Sequence, residues 1–230
     1  QPFIDGADAH HIIKSLRMRC GEELTVCDTK GIDYRCVITE CTDKVSLKIL
    51  SYTANATEPS VSVTLYQCIT KGDKMDTIVR QAVESGACRI VPVLSANCVS
   101  RPDPKSLEKK TERWQKIAAS AAEQSGRGRI PQVRAVRSFR EAVLEAAERE
   151  LALFPYENEK TQSLRACLSA GGYQSVSIMT GPEGGFSEDE VAFAGQNGMK
   201  ICSLGPRILR CETAPLAALT AAMLLTGNLE

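Results

Sequence analysis

The chain has 230 residues, 43% hydrophobic and 24% charged, with 28 Lys/Arg against 28 Asp/Glu. That balance excludes a disordered or fibrous chain and describes a globular protein able to bury a core without disulfides or a structural metal. The longest apolar run, 214–225, is broken by Pro215 and Thr220 and is too short to cross a bilayer, so no membrane partner is expected.

In chain order, a helical piece is predicted over 10–18, then strands over 23–28, 33–41, 44–50 and 60–67. Turn signals at Thr29-Lys30-Gly31 and Thr42-Asp43 separate them, and the spacing suits a compact β-barrel. The polar, Pro-terminated stretch 53–59 reads as a linker, dividing the chain into domains 1–58 and 59–230. Beyond it the pattern changes to alternation: helix 73–85, strand 89–94, helix 105–124, strand 132–134, helix 139–148 and strand 150–154. Strand 175–180, helix 188–197, strand 200–204 and helix 214–226 follow. Such alternation argues for an α/β domain with a parallel sheet between helices. No signal peptide opens the chain, and the lack of an initiator Met implies that a few residues precede Gln1.

Ten cysteines include no C-x-x-C pair, and the only histidines, His10 and His11, are adjacent. No metal site is expected from that spacing. Segments such as Leu24-Thr25-Val26-Cys27 favour small buried side chains in a reducing cytoplasm. The net charge of zero hides a gradient. Residues 1–65 hold 7 Lys/Arg against 9 Asp/Glu, residues 66–140 hold 15 against 7, and residues 141–230 hold 6 against 12. The basic middle fits a phosphate-facing surface. It equally fits solvated helix faces, since Lys105, Lys109, Lys110, Arg113 and Lys116 recur at helical spacing.

Two loops carry the chemistry. Thr180-Gly181-Pro182-Glu183-Gly184-Gly185-Phe186-Ser187 follows an apolar strand, and Ser187 can cap the next helix. In an open α/β sheet ligands lie at the carboxyl ends of strands, and glycines let the backbone approach them. A tight turn without a ligand is the alternative. The loop is neither a Walker A nor a G-x-G-x-x-G pattern. The second loop, Leu204-Gly205-Pro206-Arg207-Ile208-Leu209-Arg210-Cys211-Glu212-Thr213-Ala214, again joins a strand to a helix. Its charges form either a structural ion pair or a ligand contact.

These two motifs resemble the RsmE family, 16S ribosomal RNA uracil-N3 methyltransferases of the SPOUT superfamily. Lys71-Gly72-Asp73-Lys74-Met75-Asp76, Arg113-Trp114-Gln115-Lys116-Ile117-Ala118 and Glu123-Gln124-Ser125-Gly126-Arg127 agree with it, in family order along nearly the whole chain. Two departures stand out. Cys211 occupies a position where the family usually has Thr, and the family's basic, aromatic N-terminal start is missing.

The resemblance implies an N-terminal PUA-like β-barrel that binds RNA and a C-terminal SPOUT α/β domain with a deep trefoil knot. It also implies S-adenosylmethionine as cofactor, 16S rRNA in the 30S subunit as substrate, and a cytoplasmic homodimer. On this reading the cofactor is enclosed by Thr180, Gly181, Pro182, Glu183, Gly184, Gly185, Leu204, Gly205, Pro206, Ile208 and Leu209. Phe154 and Pro155 supply either a third wall or packing. Arg210 and Arg207 are candidates for stabilising charge on the uracil oxygens or orienting the cofactor. Glu212 and Glu123 are candidates for accepting the N3 proton, Glu212 alternatively being a partner of Arg210. Lys71, Lys74, Arg101, Gln124, Arg127 and Arg129 form the RNA-facing set. Trp114 is either a base-stacking side chain or core. The competing readings are a SPOUT enzyme acting on ribose 2′-oxygen or a tRNA base, a non-catalytic RNA-binding protein, and a nucleotide- or phosphate-binding metabolic enzyme.

Overall fold

A computed structural model describes residues 2–229. The chain divides into two compact units, residues 1–58 with 126–129 and residues 59–125 with 130–230.

The first unit is a four-stranded antiparallel sheet of β1 (Phe3–Ile4), β2 (Glu23–Cys27), β3 (Ile32–Cys41) and β4 (Val45–Ala54), in the order β1-β4-β3-β2. Ala9, Ile12, Cys36, Ile38, Val45 and Leu47 form its core, so alternate residues of β3 and β4 point inwards. The predicted 10–18 helix is displaced: α1 covers Gly6–His10 and continues as a π-helical turn over His11–Ser15. β4 outruns its predicted end at Leu50 by four residues, because its second half is exposed and carries no alternation to read. The linker is correspondingly shorter.

Segment 126–129 folds with this first unit. Arg127 is buried, and its Nε and Nη2 donate to the two Glu58 carboxylate oxygens at 2.8 Å each. Burial acts to raise the Glu58 carboxyl, but the Arg127 hydrogen bonds and charge together hold it below the ordinary range. Asn55 Nδ2 donates to Asp33 Oδ2 and to the Gly126 carbonyl.

The second unit is a parallel sheet of β5 (Ser62–Cys68), β6 (Arg89–Leu94), β7 (Gln132–Val133), β8 (Arg137–Ser138), β9 (Leu151–Pro155), β10 (Ser175–Thr180) and β11 (Lys200–Cys202). The order is β11-β9-β10-β5-β6-β7, with β8 also on β6. The strands β5, β6, β9 and β10 are almost wholly buried, as expected of parallel strands covered on both faces.

The helices are α2 (Lys74–Glu84), α3 (Pro104–Gln124), α4 (Phe139–Ala147), α5 (Leu164–Leu168), α6 (Glu188–Gln196) and α7 (Thr213–Leu225). Their starts are written in the sequence. Asp103 caps α3 ahead of Pro104, and Ser138 with Glu141 and Ser187 with Glu190 form capping boxes on α4 and α6. α2 packs on α3 and α7, and α4 packs on β5, β6, β9 and β10. Trp114 is 3% exposed and belongs to the core. All ten cysteines are free thiols, six of them buried. Among the described residues no helix is long and apolar enough to cross a membrane.

Candidate active site

Four parallel strands end at one edge of the second unit, β5 at Cys68, β9 at Pro155, β10 at Thr180 and β11 at Cys202. The chain proceeds from β5 towards β6 on one side, and later strands fill the other side. That reversal of direction opens a crevice above the carboxyl ends. The segments leaving these strands line one cavity of about 420 Å³, within the range of small-molecule sites. Its walls are Lys74, residues 155–157, 180–183, 185–186, 203–205 and 207–211, and Ala214.

The glycine loop forms the first wall and is held from beneath. Gln67, fully buried at the end of β5, donates from Nε2 to the Gly181 carbonyl at 3.3 Å and accepts from Thr180 Oγ1 at 2.7 Å. Asn97 Nδ2 donates to the carbonyls of Gly184 and Gly185 at 3.1 and 3.4 Å. Glu190 accepts the Ala96 N–H at 2.7 Å with one oxygen and the Ser187 N–H at 3.0 Å with the other. Phe186 seats the loop on Phe154, ring centroids 4.3 Å apart. Gly185 has φ +64°, and a Cβ there would lie 2.7 Å from Glu157 Oε1. Only glycine takes that conformation freely.

The second wall is open. Gly205, Arg207, Ile208 and Arg210 are exposed, Ile208 to 83%. Ser203 Oγ accepts the Gly205 N–H at 3.1 Å. The side chains of Arg207 and Arg210 have no hydrogen-bond or ion-pair partner among the described residues.

A charge cluster closes the cavity. Lys74 Nζ lies 3.4 Å from Glu183 Oε1, 3.6 Å from Glu212 Oε2 and 3.6 Å from Cys211 Sγ. Burial raises the Glu183 carboxyl, but the Lys71 N–H, its own backbone N–H and Lys74 outweigh it and leave it lowered. The Cys211 thiol, 3.1 Å away, is the main influence lowering Glu212, with its own backbone N–H and Lys74 adding to it. Burial first, then the Glu212 hydrogen bond and nearby carboxylates, push Cys211 up to about 11, so it stays a neutral thiol at pH 7.

The RNA methyltransferase domain family matches residues 57–223, and the RNA methyltransferase PUA domain family matches residues 4–50. The ribosomal RNA small subunit methyltransferase E of Bacillus subtilis is 36% identical over 224 residues, covering 95% of this chain and 88% of that protein. This chain belongs to the ribosomal RNA small subunit methyltransferase E family. Its fold is therefore a PUA-like domain followed by an RNA methyltransferase domain, its class of activity RNA methylation, and its class of substrate RNA. The same-named protein of Synechocystis is 33% identical, covering 93% of this chain and 69% of that protein. The Neisseria gonorrhoeae methyltransferase E, solved bound to S-adenosyl methionine, is 32% identical with TM-score 0.87, covering 98% of this chain and 92% of that one.

Of the residues that the methyltransferase resemblance singles out, Pro155, Thr180, Gly181, Pro182, Glu183, Gly185, Leu204, Gly205, Arg207, Ile208, Leu209 and Arg210 line the cavity. Lys74 joins them, and the others lie elsewhere. Phe154 is core, Gly184 turns to Asn97, and Pro206 is exposed outside the lining. Glu123 is exposed in the last turn of α3, not at the cavity, because α3 ends away from the strand ends. Glu212 pairs with Lys74 and not with Arg210. Within the RNA-facing set, Arg127 is a correction: Glu58 holds it as a buried ion pair. Arg101 is exposed, yet its Nη2 caps the Ser95 and Ala96 carbonyls. Lys71, Gln124 and Arg129 have exposed side chains, and Lys74 lies in the cavity.

Sequence reasoning missed Gln67, Asn97, Tyr156, Glu157 and Glu190. Gln67 was detectable as an amide inside an apolar strand, and Glu190 as the fourth residue of Ser187-Glu188-Asp189-Glu190. Nothing local marks Asn97.

Proposed function

We propose that this protein methylates N3 of a uracil in 16S rRNA of the small ribosomal subunit, using S-adenosylmethionine bound in the cavity at the strand ends. One observation carries the reading: within the family's own motifs, a braced glycine wall faces a loop bearing two unpartnered arginines across a cavity of about 420 Å³. The cofactor fits the donor set. Close backbone approach is available at Gly181 and Gly185, apolar contact at Leu204, Ile208 and Leu209, and charged contact at the Lys74 cluster.

S-adenosylmethionine supplies an electrophilic methyl group when bound. The residues of this chain then have three tasks. The first is orientation, done by a wall whose carbonyls are fixed by Gln67 and Asn97 before anything binds. The second is charge stabilisation: as N3 loses its proton, negative charge spreads onto the uracil oxygens, and Arg207 and Arg210 are the cations at hand. The third is accepting the proton. Glu212 is the nearer candidate, although its lowered pKa makes it a weak base.

The reading extends to Lys71, Arg101, Gln124 and Arg129 as RNA contacts, and to a PUA-like unit that binds RNA. The assembly is a cytoplasmic homodimer with the family's trefoil knot; these points rest on the family resemblance. The deciding experiment is transfer of labelled methyl from S-adenosylmethionine to 30S subunits lacking their own methylation, followed by nucleoside analysis. Label in 3-methyluridine is the expected result. Label in a 2′-O-methyl nucleoside, or in tRNA alone, would replace the reading with another SPOUT activity.

A further inference from the structure

Lys74 is the first residue of α2, and its Nζ bonds acids from both walls of the cavity, Glu183 after β10 and Glu212 after β11. Glu183 Oε1 also accepts the Lys71 N–H at 2.9 Å, so the start of α2 grips the glycine loop twice. Cys211 Sγ, 3.6 Å from Nζ, adds a contact to the second loop. Among the described residues no other side chain forms salt bridges to both loops. A phosphate approaching this ammonium would meet two carboxylates against one cation, a local charge that repels it.

We infer that Lys74 is a positioning residue of the cofactor cavity, setting the separation of its two walls, rather than one of the RNA-phosphate contacts. The inference rests on the assignment of the cavity to S-adenosylmethionine. Each ion pair is more than a quarter exposed on at least one partner and would count for little alone. Together they are a three-point network joining segments distant in sequence, and such networks exceed their separate pairs. Within the Lys74 cluster two carboxylates outnumber one cation, which suits a ligand with a cationic sulfur better than a phosphate.

The test is calorimetric titration of S-adenosylmethionine into the full chain and its Lys74→Met and Lys74→Arg variants, with thermal melting as a check on folding. The salt dependence of binding to a ribosomal RNA fragment is measured on the same proteins. Lys74→Met should weaken cofactor binding about fivefold, and Lys74→Arg should recover it to within about twofold. The slope of log affinity for RNA against log salt should not change. Cofactor affinity unchanged in Lys74→Met overturns the proposal, and a salt slope shallower by about one would assign Lys74 to a phosphate instead. Should Lys74→Met not fold, Glu212→Gln probes the network from the other side: a weakening of about threefold supports it, and no change overturns it. A wild-type chain that binds no S-adenosylmethionine counts against the cavity assignment itself, which is a separate outcome.

Discussion

The two walls of the cavity are built on opposite principles. The glycine loop is braced by Gln67, Asn97 and Glu190 and seated through Phe186 on Phe154, so its backbone is fixed before a ligand arrives. The loop at 204–211 leaves Arg207, Ile208 and Arg210 exposed, and its arginines without partners. The first wall spends buried polar groups on preorganisation, and the second keeps charged groups available for something that comes from outside. On the proposed function, the cofactor uses the first and an RNA base the second.

Five substitutions and one pH profile test this contrast. The largest effect is expected from Arg210→Ala. Turnover should fall about a hundredfold while cofactor affinity stays within a few-fold, because the lost cation acts on developing charge. Equal losses in both, read by single-turnover transfer and calorimetry, would place Arg210 in the cofactor wall. Gln67→Leu comes next. It strands the buried Thr180 hydroxyl, at roughly 1–3 kcal/mol, and frees the Gly181 carbonyl at the cavity wall, so cofactor affinity should drop tenfold or more. Gly185→Ala forces an alanine to φ +64°, costing about 1–2 kcal/mol, or about tenfold in affinity. The Glu157 carboxylate is the end of a flexible side chain and can move aside, so Glu157→Ala should rescue little of that loss.

The Lys74 cluster predicts a pH window. Glu183 and Glu212 lie below their ordinary 4.5, so their contribution is present above that value and is lost as pH falls through the lowered pKa. Lys74 lies above 10.5, so its contribution is present below that value and is lost as pH rises through the raised pKa. Cofactor affinity should therefore be flat across neutral pH and fall on both sides, whereas a step near pH 7 would show that another group controls it. The smallest effect is expected from Cys211→Thr, which restores the family's usual residue. A hydroxyl can still bond Glu212, and affinity should change by less than about twofold. A larger loss would mean that the thiol's contact with Lys74 matters in itself.

Strands 89–94 and 175–180 were legible to the residue as apolar runs bounded by polar ones, and the start of α6 as the Ser187 cap. The two-residue strands β1 and β8 and the five-residue α5 escaped because a period cannot be read in so few residues. Both site loops were visible as Gly-Pro turns between strand and helix. What supports them was not. Asn97 and Lys74 act on loops far downstream, and no local pattern tells a paired cation from a free one. Arg127 shows the same gap: it reads as a nucleic-acid contact in the Gln124-Ser125-Gly126-Arg127 segment until Glu58 is found against it. Charge counted along a chain gives the supply of cations, and only the fold says which are already used.

The most direct test of the account is a crystal structure of this protein with S-adenosylmethionine. The cofactor is expected between residues 181–185 and 204–209, with the Gln67 and Asn97 hydrogen bonds intact and the Arg210 guanidinium still exposed. A cofactor bound elsewhere, or a glycine loop whose Gln67 and Asn97 contacts break on binding, would contradict it.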